Sequence, residues 1–109
     1  DEAKEKAREE AAKRAEQIVE EAEKKAERIR QEARNQAAKI REEADKKADK
    51  IVEEAEGKNI LVRKAAKESA KKIREEADKK ADQLVAEADK KADRIVEEAK
   101  EKAEKIKNQ

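Results

Sequence analysis

Three observations predict an all-α fold, an antiparallel two-helix hairpin. Apolar residues recur at steps of four, four and three, almost without a break, from Ala7 to Ile106. The 109 residues include one glycine, close to the middle, and no proline. When the two halves are laid against each other in opposite directions, large residues fall opposite alanines.

The spacing predicts a first helix over 2–56. A 4-4-3 pattern repeats every eleven residues, a hendecad of about 3.67 residues per turn, so the stripe is near-straight or coils gently right-handed. Each unit is one large aliphatic followed by two alanines: Ile18, Ala22 and Ala26; Ile29, Ala33 and Ala37; Ile40, Ala44 and Ala48; Ile51 and Ala55. Charge fills most of the remaining positions, and Ala, Glu, Lys and Arg are all strong helix formers. Glu42/Lys46 and Glu43/Lys47 place acid four residues before base, an orientation worth about 0.2–0.5 kcal/mol per pair. Asp1 and Glu2 complement the dipole at the helix start.

Only the segment Glu56–Val62, EGKNILV, breaks the style. Glycine suits the left-handed position past a helix end, and asparagine is a strong N-cap. Gly57, Lys58 and Asn59 therefore read as a tight turn, with Ile60 and Leu61 expected to cover it.

The second helix is predicted over 60–107 and carries the same stripe: Val62, Ala66, Ala70, Ile73, Ala77, Ala81, Leu84, Ala88, Ala92, Ile95, Ala99, Ala103 and Ile106. Its text repeats the first. KIREEADKKADKIVEEA at 39–55 returns, 33 residues later, as KIREEADKKADQLVAEA at 72–88. Lys102, Lys105 and Lys107 suit the negative end of the dipole.

Antiparallel partners have a constant sum of residue numbers. A sum of 117 pairs Ala55 with Val62, Ile51 with Ala66, Ala44 with Ile73, Ile40 with Ala77, Ala33 with Leu84, Ile29 with Ala88, Ala22 with Ile95, Ile18 with Ala99 and Ala11 with Ile106. A sum of 118 pairs the remaining alanines, Ala48/Ala70, Ala37/Ala81, Ala26/Ala92 and Ala15/Ala103. The turn then centres between Lys58 and Asn59, where the turn chemistry lies. One unbroken helix of about 160 Å, coiled with a second chain around a buried Asn59, keeps the same phase. Gly57 within such a helix would cost about 1 kcal/mol without return, which favours the hairpin.

The stripe is about 80° wide and suits contact with a single neighbour. Val19, Val52, Val85 and Val96 widen it locally, at positions where other units carry Arg30, Arg41, Arg63 and Arg74. These valines are a candidate surface on which two hairpins dimerise into a four-helix bundle. The alternative is that they simply flank a two-helix seam, partly exposed.

Several functions are excluded by inventory. The 31 basic and 30 acidic residues are interleaved and no aromatic is present, so nothing provides the basic face or stacking platform of a nucleic-acid binder. No apolar run exceeds Ile60-Leu61-Val62, so neither a signal peptide nor a membrane span is expected. Without cysteine there is no disulfide framework or thiolate metal site, and no compartment is implied. Histidine and tyrosine are absent and Ser69 is the lone hydroxyl. Adjacent carboxylates such as Glu42-Glu43 and Glu53-Glu54 point about 100° apart, and each has a lysine partner or open solvent in place of a catalytic pocket. The seam offers no inward carboxylate for a metal, and a phosphate loop needs more than one glycine. We expect no enzyme, no cofactor, no metal and no small-molecule ligand; a second copy is the candidate partner, monomer and dimer both being compatible with the pattern, and the sequence names no other protein partner. A start at Asp1 rather than methionine suggests a chain trimmed from a tag or a longer sequence.

Residues Glu20–Ala37, EEAEKKAERIRQEARNQA, resemble the peripheral stalk subunits of rotary ATPases, which implies a spacer coiled coil. The eleven-residue repeat is also similar to those of apolipoproteins and desiccation-protectant proteins, but interfacial binding needs bulky residues and a basic polar face. This face is narrow, alanine-rich and of mixed charge, so no membrane partner is expected. Near-verbatim repetition, a regular charge lattice and a central glycine turn look most like a computationally designed helical bundle. That resemblance implies a structural scaffold without natural catalytic activity. The alternatives are the stalk-like spacer, or a designed scaffold presenting a surface to a receptor or other partner.

Overall fold

A computed structural model describes all 109 residues. The protein is a helical hairpin of two long helices, α1 (Glu2–Glu54) and α2 (Ile60–Lys107), with no strand. No helix is long and apolar enough to cross a membrane.

Both helix starts are capped by short polar side chains. Asp1 Oδ1 accepts the Ala3 N–H at 3.1 Å, while the Asp1 carbonyl accepts the Glu5 N–H at 3.2 Å. Asn59 does the same for α2: its Oδ1 accepts the Val62 N–H at 3.0 Å and its carbonyl the Arg63 N–H at 3.1 Å. Each cap satisfies a donor that has no partner within the helix.

Between the helices the chain turns in steps of three. Helix α1 ends at Glu54 rather than the expected Glu56, because the Ala55 N–H donates to the Val52 carbonyl at 3.2 Å and the Glu56 N–H to that of Glu53 at 3.1 Å. Gly57 then adopts a φ of 79°, the left-handed region that suits glycine. The Lys58 N–H closes the turn on the Ala55 carbonyl at 3.1 Å. Ile60 and Leu61 do not cover this turn; they are 60% and 75% exposed, and Val62 is 40% exposed. At the register above, Ile60 and Leu61 stand opposite Gly57 and Glu56, which offer them no apolar surface.

Contacts divide the chain into two compact units, Glu32–Ala86 and Asp1–Gln31 with Glu87–Gln109. The first contains the turn and the adjoining arms. Its buried residues are Ala33, Ala37, Ala44, Ala48, Ala55, Ala66, Ala70, Ala77 and Ala81. The other unit buries Ala15, Ala26, Ala92, Ala99 and Ala103. Every buried residue of the protein is thus an alanine, and no polar group is buried.

Depth of burial is graded among these alanines. Ala26, Ala48, Ala81 and Ala92 are 0% exposed, whereas Ala44, Ala66, Ala77 and Ala99 retain 8–9%. The deepest residues are those whose expected partners are also alanines. The large aliphatics lie beside that line: Ile18, Ile29, Ile40, Ile51, Ile73, Leu84, Ile95 and Ile106 are all half-buried, as are Ala22 and Ala88. Two helices that approach over alanine leave no room for a branched side chain between their backbones, so in each unit the aliphatics stand beside the line.

Two tests follow from this packing. Ala81→Leu should cost more than Ala77→Leu in urea denaturation, with Ala81→Leu in the overpacking range of about 1–3 kcal/mol, because Ala81 is fully enclosed and Ala77 borders open space. In the turn, Gly57→Ala meets no atom within 4 Å of the added Cβ, so its cost is purely conformational. It should lower the unfolding free energy by about 1–2 kcal/mol, measured by the same melts.

Candidate functional site

A repeated adjacent pair of residues separates the faces of the hairpin. In Ile40-Arg41 and Ile73-Arg74 the two side chains point about 100° apart, which sends them to opposite sides of the alanine line. In the Glu32–Ala86 unit this produces one apolar face and one ionic face.

Two arginines organise the ionic face. Arg41 Nη2 donates to Asp82 Oδ1 at 2.5 Å, and its Nε to Asp78 Oδ1 at 3.3 Å. Arg74 returns the arrangement, with Nη2 to Asp49 Oδ1 at 2.5 Å and Nε to Asp45 Oδ1 at 3.2 Å. A planar guanidinium can present two donors at once, so each arginine spans two carboxylates one helical turn apart on the other arm. The reciprocity is written in the sequence: KIREEADKKAD occurs at 39–49 and again at 72–82. Set antiparallel, two copies of that text form a local pseudo-two-fold in which each arginine grips the aspartates of the other copy. In the Asp1–Gln31/Glu87–Gln109 unit, Arg30 binds Asp93 Oδ1 at 2.5 Å and lies 3.7 Å from Asp89. All these pairs have numbers that add to 119 or 123. Sums above 117 are the expected sense, because helical side chains lean toward their own N-terminus and the two arms run oppositely.

These clasps were not foreseen from the sequence, although a signal was present. The chain has seven aspartates, against 23 glutamates. Asp1 caps α1, and the other six are the ion-pair partners of Arg30, Arg41 and Arg74. Aspartate is a poorer helix former than glutamate, so its use in mid-helix marks a tertiary task. Among the expected pairs within α1, Glu42 and Lys46 approach to 3.6 Å.

The apolar face of the same unit is an open groove of about 1100 Å³. Ile40, Ala44, Ile73, Ala77 and Leu84 form its floor, with glutamates and lysines along the rim. Its lining also obeys the 33-residue displacement, in the pairs Ile40/Ile73, Glu43/Glu76, Ala44/Ala77, Lys46/Lys79 and Lys47/Lys80. Val52 and Val85, half-buried, occupy the position that Arg41 and Arg74 hold in neighbouring repeats and so belong to the ionic side. In the other unit Val96 lines a cavity of about 600 Å³ beside Arg30 and Asp93, and Val19 is half-buried. Lys58 and the other turn residues are exposed. No group of three or more Asp, Glu, His or Cys side chains is arranged to hold a metal ion.

The clasps are exposed, so their energies should be small and sensitive to salt. Arg41→Gln should lower the unfolding free energy by about 0.5 kcal/mol at low ionic strength. At 1 M NaCl, where the Debye length falls to about 3 Å, the difference should largely vanish. A double-mutant cycle with Asp82→Asn, run at both salt concentrations, measures the coupling directly.

The chain matches no protein-family model, no curated protein and no solved structure.

Proposed function

We propose that this protein is a designed structural scaffold, a hendecad coiled-coil hairpin without catalytic activity, whose function is the geometry of its helix–helix association. The observation that carries this reading is the exclusively alanine interior, flanked in each unit by arginine clasps of constant register. The buried side chains carry only methyl groups, while Asp1 and Asn59 cap the helices and Arg30, Arg41 and Arg74 tie one arm to the other. This distribution serves position and register.

Two related readings have support of their own. The Glu20–Ala37 text favours a stalk-like spacer, which would use the same stiffness. Exposure of Ile60, Leu61 and Val62 at the start of α2 favours a scaffold that presents a surface to a receptor or other protein.

A geometric function requires a single conformation. Spin labels on Lys46→Cys and Lys79→Cys of one chain, diluted with excess unlabelled protein so that only distances within a chain are read, should give one narrow distance distribution by pulsed electron resonance, unchanged on moderate warming. A broad or multimodal distribution in a fully helical protein would refute the scaffold reading.

A further inference from the structure

We infer that the groove floored by Ile40, Ile73 and Leu84 is a self-association surface, and that its occupant is the same groove of a second copy of this chain. The inference rests on the scaffold reading and assigns that scaffold its interface.

Three observations select this occupant. The first is symmetry: five pairs of lining residues are related by the 33-residue displacement, so the groove has a local pseudo-two-fold. A two-fold dimer interface is self-complementary and presents the same patch twice. A second hairpin whose dyad coincides with the local one uses both halves of the groove alike, whereas one foreign helix has a direction that the groove does not distinguish. The second is apolar supply. No large aliphatic of the protein is buried, and Ile40, Ile73 and Leu84 keep one side open on this face. The third is the rim. Glu43 with Lys47, and Glu76 with Lys80, place both signs of charge on each edge, so a dyad-related copy can set carboxylates against ammonium groups. The long lysine stems can lie along the aliphatic floor while their heads reach water.

This surface is distinct from the valine positions. Val52 and Val85 share their side with the clasps of Arg41 and Arg74, whose charges are already paired across the arms.

Light scattering on size-exclusion fractions, with circular dichroism on the same samples, tests the assignment over micromolar to millimolar concentrations. The parent should reach twice the 12.4 kDa of one chain. Ile40→Glu/Ile73→Glu should return it to one chain with helicity kept, while Val52→Glu/Val85→Glu should leave the doubled mass unchanged. A cysteine at Ile73 should cross-link copies under oxidation, and one at Asp49 should not; this readout stands even if the glutamate pair unfolds. A parent that is fully helical yet monomeric throughout overturns the proposal and leaves the groove to a foreign helix. Loss of the dimer in the valine pair alone overturns the choice of face. A parent lacking helicity would instead refute the hairpin itself.

Discussion

Close approach of two backbones over alanine is the constraint on which the other features depend. A methyl group is the largest side chain that fits between helices drawn this near, so the interior of each unit contains nothing larger. Burial of so small a group contributes about 0.8 kcal/mol per carbon. Stability therefore accumulates from many small terms: helix propensity, long arms, two capped starts and a turn with the correct handedness. The caps of Asp1 and Asn59 carry more weight here than they would above a core of leucine and phenylalanine.

That constraint also creates the two faces. Anything bulkier than alanine must stand to one side of the line, and the identity of adjacent residues decides which side receives apolar and which receives ionic groups. Ile40-Arg41 and Ile73-Arg74 make the division in one unit, and Ile29-Arg30 repeats the pattern in the other. The aliphatic face remains half-covered because the opposing arm supplies only alanine at that depth. The ionic face closes on itself because arginine is long enough to reach across and aspartate short enough to hold it.

Much of the hairpin was legible because helical periodicity and turn chemistry are local properties. The 4-4-3 stripe, Gly57 and Asn59 each act within a few residues of themselves. Leu61 shows where local reading fails: adjacency to the turn suggested a cover, but no opposing apolar partner exists at that register. The aspartate clasps were harder to read, since composition alone treats Asp45 and Glu42 as equal charges. Their difference is one methylene, which matters only when the carboxylate must hold a guanidinium on the facing arm. Burial depth was similarly obscure. A repeat gives the sequence of small and large residues, but only the interaxial distance decides that alanine lies between the helices and isoleucine beside them.

The arginine clasps also bear on kinetic trapping. An alanine line with an eleven-residue period is nearly indifferent to a slip of one unit, so two arms could dock out of register with little change in burial. The ionic face is not degenerate in this way. A slip in one direction sets Arg41 against Lys67 and Lys71 and brings Arg74 to Arg34; a slip in the other brings Arg30 to Lys100 and Arg74 to Glu56 and Ile60. The first slipped state keeps two complete clasps, Arg30 with Asp78 and Asp82 and Arg63 with Asp45 and Asp49, and the second keeps one, Arg41 with Asp89 and Asp93, against three in the native register. Six aspartates thus make a periodic, otherwise ambiguous surface aperiodic, and the native register is the one in which all three clasps form together.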